Sequence, residues 1–183
     1  LPNSGILSAP VYKGGEQPDL SKRKIIKLNS NENPLGPSKL ATDALKNSFE
    51  FINNYPSSSH EKLRKAIAKV HAINFENIIC GAGSDELISF ICQCFCSTND
   101  EVIYTEHGFA MYKISALLRG ANPVKVLENE RVADVDNILK SCNNKTKIIF
   151  LANPNNPTGT FLDSSKIKYL LDNLPDTVLM VID

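Results

Sequence analysis

A glycine-rich turn at residues 81–86 has the composition of an anion-binding loop. The segment reads Gly-Ala-Gly-Ser-Asp-Glu and directly follows a short apolar run at 78–80 that predicts a strand. Glycines between a strand and a helix expose backbone N–H groups, and the helix N-terminus favours a negative ligand. The turn lacks the Gly-Lys-Ser/Thr of a Walker loop and the full dinucleotide spacing. A phosphate site is therefore one interpretation, and a plain turn capped by Ser84 and Asp85 is the other.

A second candidate site is the heptapeptide Asn-Pro-Asn-Asn-Pro-Thr-Gly at 153–159, after a predicted strand. Two prolines make such a loop rigid, so its amide side chains could be aimed at a ligand. The Asn-Pro bonds are candidates for the cis form, because cis geometry costs little before proline. A plain loop of this composition is the alternative.

Three single side chains at other strand ends also have types suited to chemistry. Asp183 ends the apolar run 178–183, where a carboxylate is costly unless a cation or a hydrogen bond meets it. Phe109 could stack on a flat ring, although a core position is the more frequent use of such an aromatic. His107, in the same loop, is not assigned as a base.

These segments are predicted to lie at one edge of a parallel sheet. Short apolar runs alternate with helical patterns, which predicts βαβ units and a mainly parallel α/β sheet covered by helices on both faces. In such sheets ligands bind at the carboxyl ends of the strands. The predicted strands are 78–80, 101–104, 123–127, 147–152 and 178–183, with a further short one over 24–29. The predicted helices are 38–51, 60–72, 84–96, 109–119, 134–141 and 163–173.

Composition limits the class of protein. The 183 residues suit one domain or a large part of one, and 42% are hydrophobic. Twenty basic and twenty acidic residues give no net charge, which argues against nucleic acid or an anionic membrane as a partner. No apolar run of about 18 residues occurs, and the first residues do not have the pattern of a signal peptide. The sequence has no initiator Met, so residues are expected to be missing at its start.

The five cysteines do not predict a metal site or a disulfide framework. Cys92, Cys94 and Cys96 lie in a predicted helix, where residues two apart point about 200° apart and cannot share one metal. No histidine lies near enough in sequence to complete a zinc site. We interpret the cysteines as small core residues in a reducing cytoplasm.

Four elements, in this order, resemble the fold-type-I pyridoxal-phosphate enzymes, the aminotransferases. They are the glycine turn, the aromatic Phe109 after the next strand, the Asn-Pro heptapeptide and the strand-ending Asp183. Within that family the chain is similar to the members that act on histidinol phosphate. This narrower similarity rests on the segment 28–38, on Asn-Tyr-Pro at 54–56, and on Phe109-x-x-Tyr112.

The resemblance implies a role for several residues in binding pyridoxal 5'-phosphate. Backbone N–H groups around Gly83, Ser84 and Asp85 would hold the phosphate. Phe109 would stack on the pyridine ring, at a position where the family often has Tyr.

Further roles follow from the same resemblance. Asn156 would donate a hydrogen bond to the phenolic oxygen of the cofactor, and Asp183 would pair with its pyridinium nitrogen. Tyr55 would reach across a homodimer interface to the phosphate of the neighbouring subunit. Tyr12 and Asn31 would lie on the substrate side.

The resemblance also implies that this is the N-terminal half of a longer enzyme. Residues 1–37 would form an arm and entry loop, and residues 38–183 the first part of a three-layer αβα cofactor-binding domain. The lysine that forms the Schiff base would lie beyond Asp183, because Lys113, Lys125 and Lys147 are not in equivalent places. Further strands, the rest of that domain and a C-terminal small domain would be missing. We therefore expect this chain to be unstable and inactive alone.

The implied function is amino transfer between histidinol phosphate, a phosphorylated amino alcohol, and 2-oxoglutarate in histidine biosynthesis. Threonine-phosphate decarboxylase and aromatic or broad-specificity aminotransferases remain alternatives within the family. A non-catalytic fragment that binds a phosphorylated ligand is the alternative from another class.

Overall fold

A four-stranded parallel sheet dominates the computed structural model, which describes residues 4–15 and 26–183. The strands are β1 Glu101–Thr105, β2 Asn122–Val126, β3 Thr146–Leu151 and β4 Leu179–Ile182. Their order in space is β2-β1-β3-β4, and every neighbouring pair is parallel. The carboxyl ends of all four strands therefore lie along one edge of the sheet.

Helices connect the strands and also precede them. In the described part of the chain the α-helices are α1 Ser4–Ser8, α2 Lys39–Asn47, α3 Glu61–His71, α4 Ser84–Phe95, α5 Ala110–Leu118, α6 Val135–Ser141 and α7 Ser164–Asn173. Two short 3₁₀ helices occur at Phe49–Phe51 and Phe75–Asn77.

The chain forms two compact units. The sheet unit comprises residues 1–12 and 81–183, and the second unit comprises residues 13–80. In the second unit, α2 and α3 have no fully buried residues, and most of the apolar side chains along both helices are exposed. Leu40, Leu63 and Val70 are examples, each more than half exposed.

Helices cover both faces of the sheet, which gives the sheet unit three layers. On one face α4 and α5 pack against β1 and β3, and the buried residues there include Ile88, Cys92, Tyr112, Ala116, Val102, Ile148 and Phe150. On the other face α6 and α7 pack against the same strands, and the buried residues include Ile138, Leu170, Ile103, Ile149 and Leu151. The predicted αβα architecture is confirmed.

The central strands are apolar on both faces because both faces are covered. In β1 the neighbours Val102 and Ile103 point to opposite faces and are both fully buried. Burying one such aliphatic side chain contributes about 1.5–3 kcal/mol. Continuous Val/Ile runs, and not an alternation of apolar and polar residues, are therefore the pattern of this sheet.

Local polar contacts set where the helices begin. The Asp134 carboxylate accepts a hydrogen bond from the N–H of Asn137, at 3.0 Å, and Asp163 accepts one from Lys166, at 2.9 Å. Each caps its helix in the way aspartate commonly does. At α1, a Cβ on Gly5 would overlap the carbonyl oxygen of Leu117, so glycine permits the close packing of α1 on α5.

Four of the five strands predicted from residue 78 onward are confirmed to within a residue or two. The strand predicted over 78–80 is wrong, since these residues adopt no strand. A strand needs a hydrogen-bonded neighbour, and none of the described residues pairs with this segment. Of the strand predicted over 24–29, residues 24 and 25 lie outside the described residues, and 26–29 are not in a strand.

The helix predictions also needed two corrections. The helix predicted over 38–51 ends at Asn47 and continues as a separate 3₁₀ helix. The short helix α1 was not predicted from the sequence. The division of the whole protein at residue 37 stays a prediction.

The cysteines occupy different environments. All five are free, with Cys92 and Cys96 buried between α4 and the sheet, and Cys94 exposed on the opposite side of the helix. Core packing is thus confirmed for Cys92 and Cys96 and is wrong for Cys94, because a two-residue step on a helix turns the side chain away. Among the described residues there is no cluster of potential metal ligands and no helix long and apolar enough to cross a bilayer.

Candidate functional site

The glycine turn presents free backbone N–H groups at the start of α4. Gly83 is the N-cap residue, with φ 85° and ψ −179°, a conformation that is essentially restricted to glycine. A Cβ at this position would meet no atom within 4 Å, so the backbone angles alone require glycine. The N–H groups of Ser84, Asp85 and Glu86 have no acceptor among the described residues. These groups can bind an anion, as the helix N-terminus favours.

A side chain that the sequence analysis missed fixes the turn. The Glu86 carboxylate accepts a hydrogen bond from the N–H of Ala82, at 2.6 Å. It thereby removes one donor from the loop and leaves the N–H groups at the helix start available. A glutamate three residues after the N-cap was the available signal, because this position is typical of a capping box.

Asp183 is bound to a buried tyrosine. The Tyr112 hydroxyl donates to Asp183 Oδ2 at 2.6 Å, while the other carboxylate oxygen has no partner in the described part of the chain. The Asp183 N–H donates to the carbonyl of Leu151, and the Asp183 carbonyl accepts from the N–H of Asn153, both at 3.0 Å. The carboxylate is therefore fixed where β4 ends beside the loop that follows β3, with one oxygen left for a ligand.

Tyr112 is part of the Phe109-x-x-Tyr112 pattern of the family resemblance, but no role in the site was predicted for it. Its side chain is fully buried, and its ring stacks on Phe150 with a centroid distance of 4.7 Å and an interplanar angle of 2°. Burial raises the pKa of the Tyr112 phenol well above its usual value, and the hydrogen bond to Asp183 raises it further. The phenol is therefore a neutral hydrogen-bond donor at physiological pH.

Phe109 and Tyr12 form an aromatic cluster with Tyr112. The Phe109 ring meets the rings of Tyr12 and Tyr112 edge to face, with centroid distances of 5.9 Å in both cases. Phe109 is the N-cap residue of α5, so it lies directly after the β1 loop, and it is partly buried. The structure thus brings two of the predicted site residues, Phe109 and Tyr12, into contact, and links them through Tyr112 to Asp183.

The Asn-Pro loop uses its three asparagines in three ways. Asn153 brackets the backbone of Leu162, accepting from its N–H at 2.8 Å and donating to its carbonyl at 3.1 Å. Asn155 is buried, and its amide donates to the His107 carbonyl and to Thr158. Asn156 is exposed, and its side chain makes no hydrogen bond to the described residues. Of the three amides, that of Asn156 is thus the one available to a ligand. Both Asn-Pro bonds are cis, as the sequence suggested.

Tyr55 and Asn31 belong to the second unit. The Tyr55 side chain is fully exposed, and Asn31 is exposed in a loop before α2. Their roles at a subunit interface and on the substrate side stay predictions.

The fold and this edge of the sheet define a three-layer α/β protein with a candidate ligand site at the carboxyl ends of its parallel strands. The model of the family described as aminotransferase class I and II matches residues 23–183. The chain belongs to this family.

Curated relatives agree with the family over the whole chain. A histidinol-phosphate aminotransferase from Ruegeria sp. (strain TM1040) is 50% identical over 182 residues, which is all of this chain and 50% of that protein. One from Jannaschia sp. (strain CCS1) is 44% identical over all of this chain and 51% of its own length. The chain therefore spans about half the length of the curated relatives it matches.

Solved structures have the same fold. The histidinol-phosphate aminotransferase from Sinorhizobium meliloti, solved with pyridoxal-5'-phosphate, aligns with a TM-score of 0.81 at 23% identity, over 84% of this chain and 42% of that one. An alanine aminotransferase from Pyrococcus furiosus aligns with a TM-score of 0.74 at 24% identity, over 80% of this chain and 40% of that one.

Proposed function

We propose that this chain is part of a pyridoxal-phosphate-dependent aminotransferase that transfers an amino group between histidinol phosphate and 2-oxoglutarate in histidine biosynthesis. A relative named histidinol-phosphate aminotransferase matches the full chain at 50% identity. The structural observation that carries the proposal is the Asp183 carboxylate, which is bound through one oxygen to Tyr112 and has no partner for its other oxygen in the part of the chain that the structure describes.

The groups at the sheet edge fit the chemistry of pyridoxal 5'-phosphate. The cofactor carries a phosphate, and the N–H groups at the start of α4, which bind no acceptor in residues 4–15 and 26–183, are suitable donors for it. It carries a flat pyridine ring with a basic nitrogen, which suits the aromatic face of Phe109 and the carboxylate of Asp183. It carries a phenolic oxygen, which suits the free amide of Asn156.

Each residue would act on the bound cofactor in a defined way. The Asp183 carboxylate would keep a proton on the ring nitrogen, because a negative charge beside that nitrogen favours its protonated form. The N–H groups of Ser84 and Asp85 would anchor the phosphate, and the Phe109 ring would fix the plane of the pyridine. When bound, the cofactor supplies a sink for the electron pair left on the substrate Cα after that carbon loses its proton.

The remaining parts of the active site belong to this proposal as well. The lysine that the family attaches to the cofactor would follow Asp183 in the complete gene product. That product would form a homodimer, with Tyr55 of each subunit donating to the phosphate bound by the other. The full exposure of Tyr55 supports this placement. The free state of all five cysteines supports a reducing cytoplasm as the compartment.

The test is an assay of the complete gene product. Purified protein should show the absorbance of bound pyridoxal 5'-phosphate and should transfer the amino group of histidinol phosphate to 2-oxoglutarate. The competing substrates are aromatic amino acids and threonine phosphate. Amino transfer is measured for the aromatic amino acids, and CO₂ release is measured for threonine phosphate. Activity on aromatic amino acids with none on histidinol phosphate would overturn the substrate assignment. Failure to bind the cofactor would overturn the whole proposal.

A further inference from the structure

We infer that Tyr112 is a positioning residue for cofactor binding, which fixes the Asp183 carboxylate so that its free oxygen faces the ligand. The inference rests on the proposed function, because the ligand of Asp183 is taken to be the pyridine nitrogen of pyridoxal 5'-phosphate. It adds a residue to those proposed to contact the cofactor, because the Tyr112 hydroxyl donates to the Asp183 carboxylate and would act on the ligand through it.

The tyrosine ring is held rigidly. Its side chain is fully buried, with Phe150 stacked on one face and the Phe109 ring packed at an angle of 89°. Tyr112 also lies in α5, which packs against α4 and the sheet. The hydroxyl is consequently presented at a fixed point, and a rigid donor can orient a carboxylate that would otherwise rotate freely at the strand end.

The hydrogen bond also divides the two carboxylate oxygens between two partners. Oδ2 accepts from Tyr112 at 2.6 Å, which is in the short range typical of O–H bonds to a carboxylate. Oδ1 has no partner among the described residues. A neutral donor leaves the negative charge of Asp183 in place, whereas a cation in the same position would neutralise it before the ligand arrived.

A purely structural role for Tyr112 is the competing explanation. A buried phenol needs some hydrogen-bond partner, and Asp183 could merely be the nearest acceptor. The two explanations differ in one measurable respect. If Tyr112 acts on the ligand through Asp183, then removing its hydroxyl matters only while the carboxylate is present.

The experiment compares Tyr112→Phe with Tyr104→Phe in the complete gene product. Tyr104 is a suitable control because it packs against the same core cluster, is partly buried, and makes no side-chain hydrogen bond to the described residues. Affinity for pyridoxal 5'-phosphate is measured by equilibrium fluorescence titration of the cofactor-free protein. Tyr112→Phe should raise the Kd about tenfold, as expected for losing a hydrogen bond to a charged group, and should shift the absorbance of the bound cofactor. Tyr104→Phe should change neither.

A double-mutant cycle with Asp183→Asn decides between the two explanations. In the Asp183→Asn background, Tyr112→Phe should change the Kd by less than about twofold. An equal effect in both backgrounds, or an unchanged Kd and spectrum for Tyr112→Phe alone, would overturn the positioning role while leaving the proposed function standing. Failure of the unaltered protein to bind the cofactor would overturn both.

Discussion

His107 and Glu128 join the carboxyl ends of two neighbouring strands. The His107 N–H donates to Glu128 Oε1 at 3.1 Å, and ring Nδ1 lies 2.7 Å from Oε2. The Glu128 side chain is 1% exposed and that of His107 is 45% exposed. His107 follows β1 and Glu128 follows β2, while the His107 carbonyl accepts from Asn155 in the loop after β3. One residue thus ties together three loops at the edge of the sheet that carries the site.

This pairing predicts that Glu128 stabilises the loops at the carboxyl ends of the strands, where the candidate site lies. Glu128→Ala should lower the free energy of unfolding by about 2 kcal/mol. The reason is that the backbone N–H and the ring Nδ1 of His107 both lose their carboxylate partner. The midpoint of thermal unfolding of the cofactor-free protein should fall by a few degrees. Glu106→Ala is the matched control, since among the described residues the Glu106 carboxylate has one partner, Lys125, in a partly exposed pair at 3.6 Å. Equal midpoints for the two variants would contradict a structural role for the His107–Glu128 pair.

Asp183 should be essential to turnover. Asp183→Ala removes the charge proposed to pair with the ring nitrogen, so kcat should fall about 10³-fold. Asp176→Ala is the control, because Asp176 is exposed in the loop before β4 and has no hydrogen-bond partner among the described residues. Steady-state kinetics of the complete gene product would measure both. Turnover of Asp183→Ala within a few fold of the unaltered enzyme would refute the role.

Two asparagines of one loop should behave differently. Asn153→Ala removes the bracket on Leu162 and should lower the thermal midpoint, because two backbone groups lose their partners. Asn156→Ala removes an exposed amide that makes no hydrogen bond to the described part of the chain, so the midpoint of the cofactor-free protein should stay constant. The absorbance of bound cofactor should shift in Asn156→Ala, with a milder loss of turnover than in Asp183→Ala. If Asn156→Ala left the cofactor spectrum unchanged, Asn156 would not contact the phenolic oxygen.

Gly83 should be required for phosphate binding. Its φ of 85° is unfavourable for any residue with a Cβ, so Gly83→Ala should strain the turn and shift the N–H groups of α4. The Kd for pyridoxal 5'-phosphate should rise about tenfold or more. Gly120→Ala carries a similar strain, with φ 76°, at the end of α5, and should lower stability without changing the affinity. A Kd that rises equally in both variants would show that the effect is general destabilisation.

Tyr112 should make stability fall in alkaline solution. The phenol has a raised pKa in the folded chain, whereas in the unfolded chain it ionises near its usual value of about 10. Above that pH the folded state binds more protons than the unfolded state, so stability decreases as pH rises. The thermal midpoint should therefore fall more between about pH 9 and about pH 11 in the unaltered protein than in Tyr112→Phe. Equal slopes would mean that the phenol ionises alike in both states.

The sequence alone determined the α/β class, the parallel strands and the candidate loops at their ends. Strands that are buried on both faces consist of consecutive apolar residues, as 148–151 do. Because this pattern lies within one short segment, it can be recognised from the sequence. The segment 78–80 has a similar apolar pattern, but it forms no strand and has no pairing partner among the described residues. Pairing is a long-range property, so its absence could not be read from the segment itself.

Tertiary structure alone decided which polar groups meet. Tyr112 and Asp183 lie 71 positions apart in the sequence. Nothing in the sequence around either residue shows that the tyrosine hydroxyl would donate to the aspartate carboxylate. The same holds for His107 and Glu128, which are 21 positions apart and lie in the loops that follow β1 and β2. Within the heptapeptide the residue types were evident, but only the folded loop shows that the amides of Asn153 and Asn155 bind within the fold, whereas that of Asn156 binds none of the residues that the structure describes. The physical reason is that hydrogen bonding depends on distances that the parallel sheet creates by placing separate strand ends side by side.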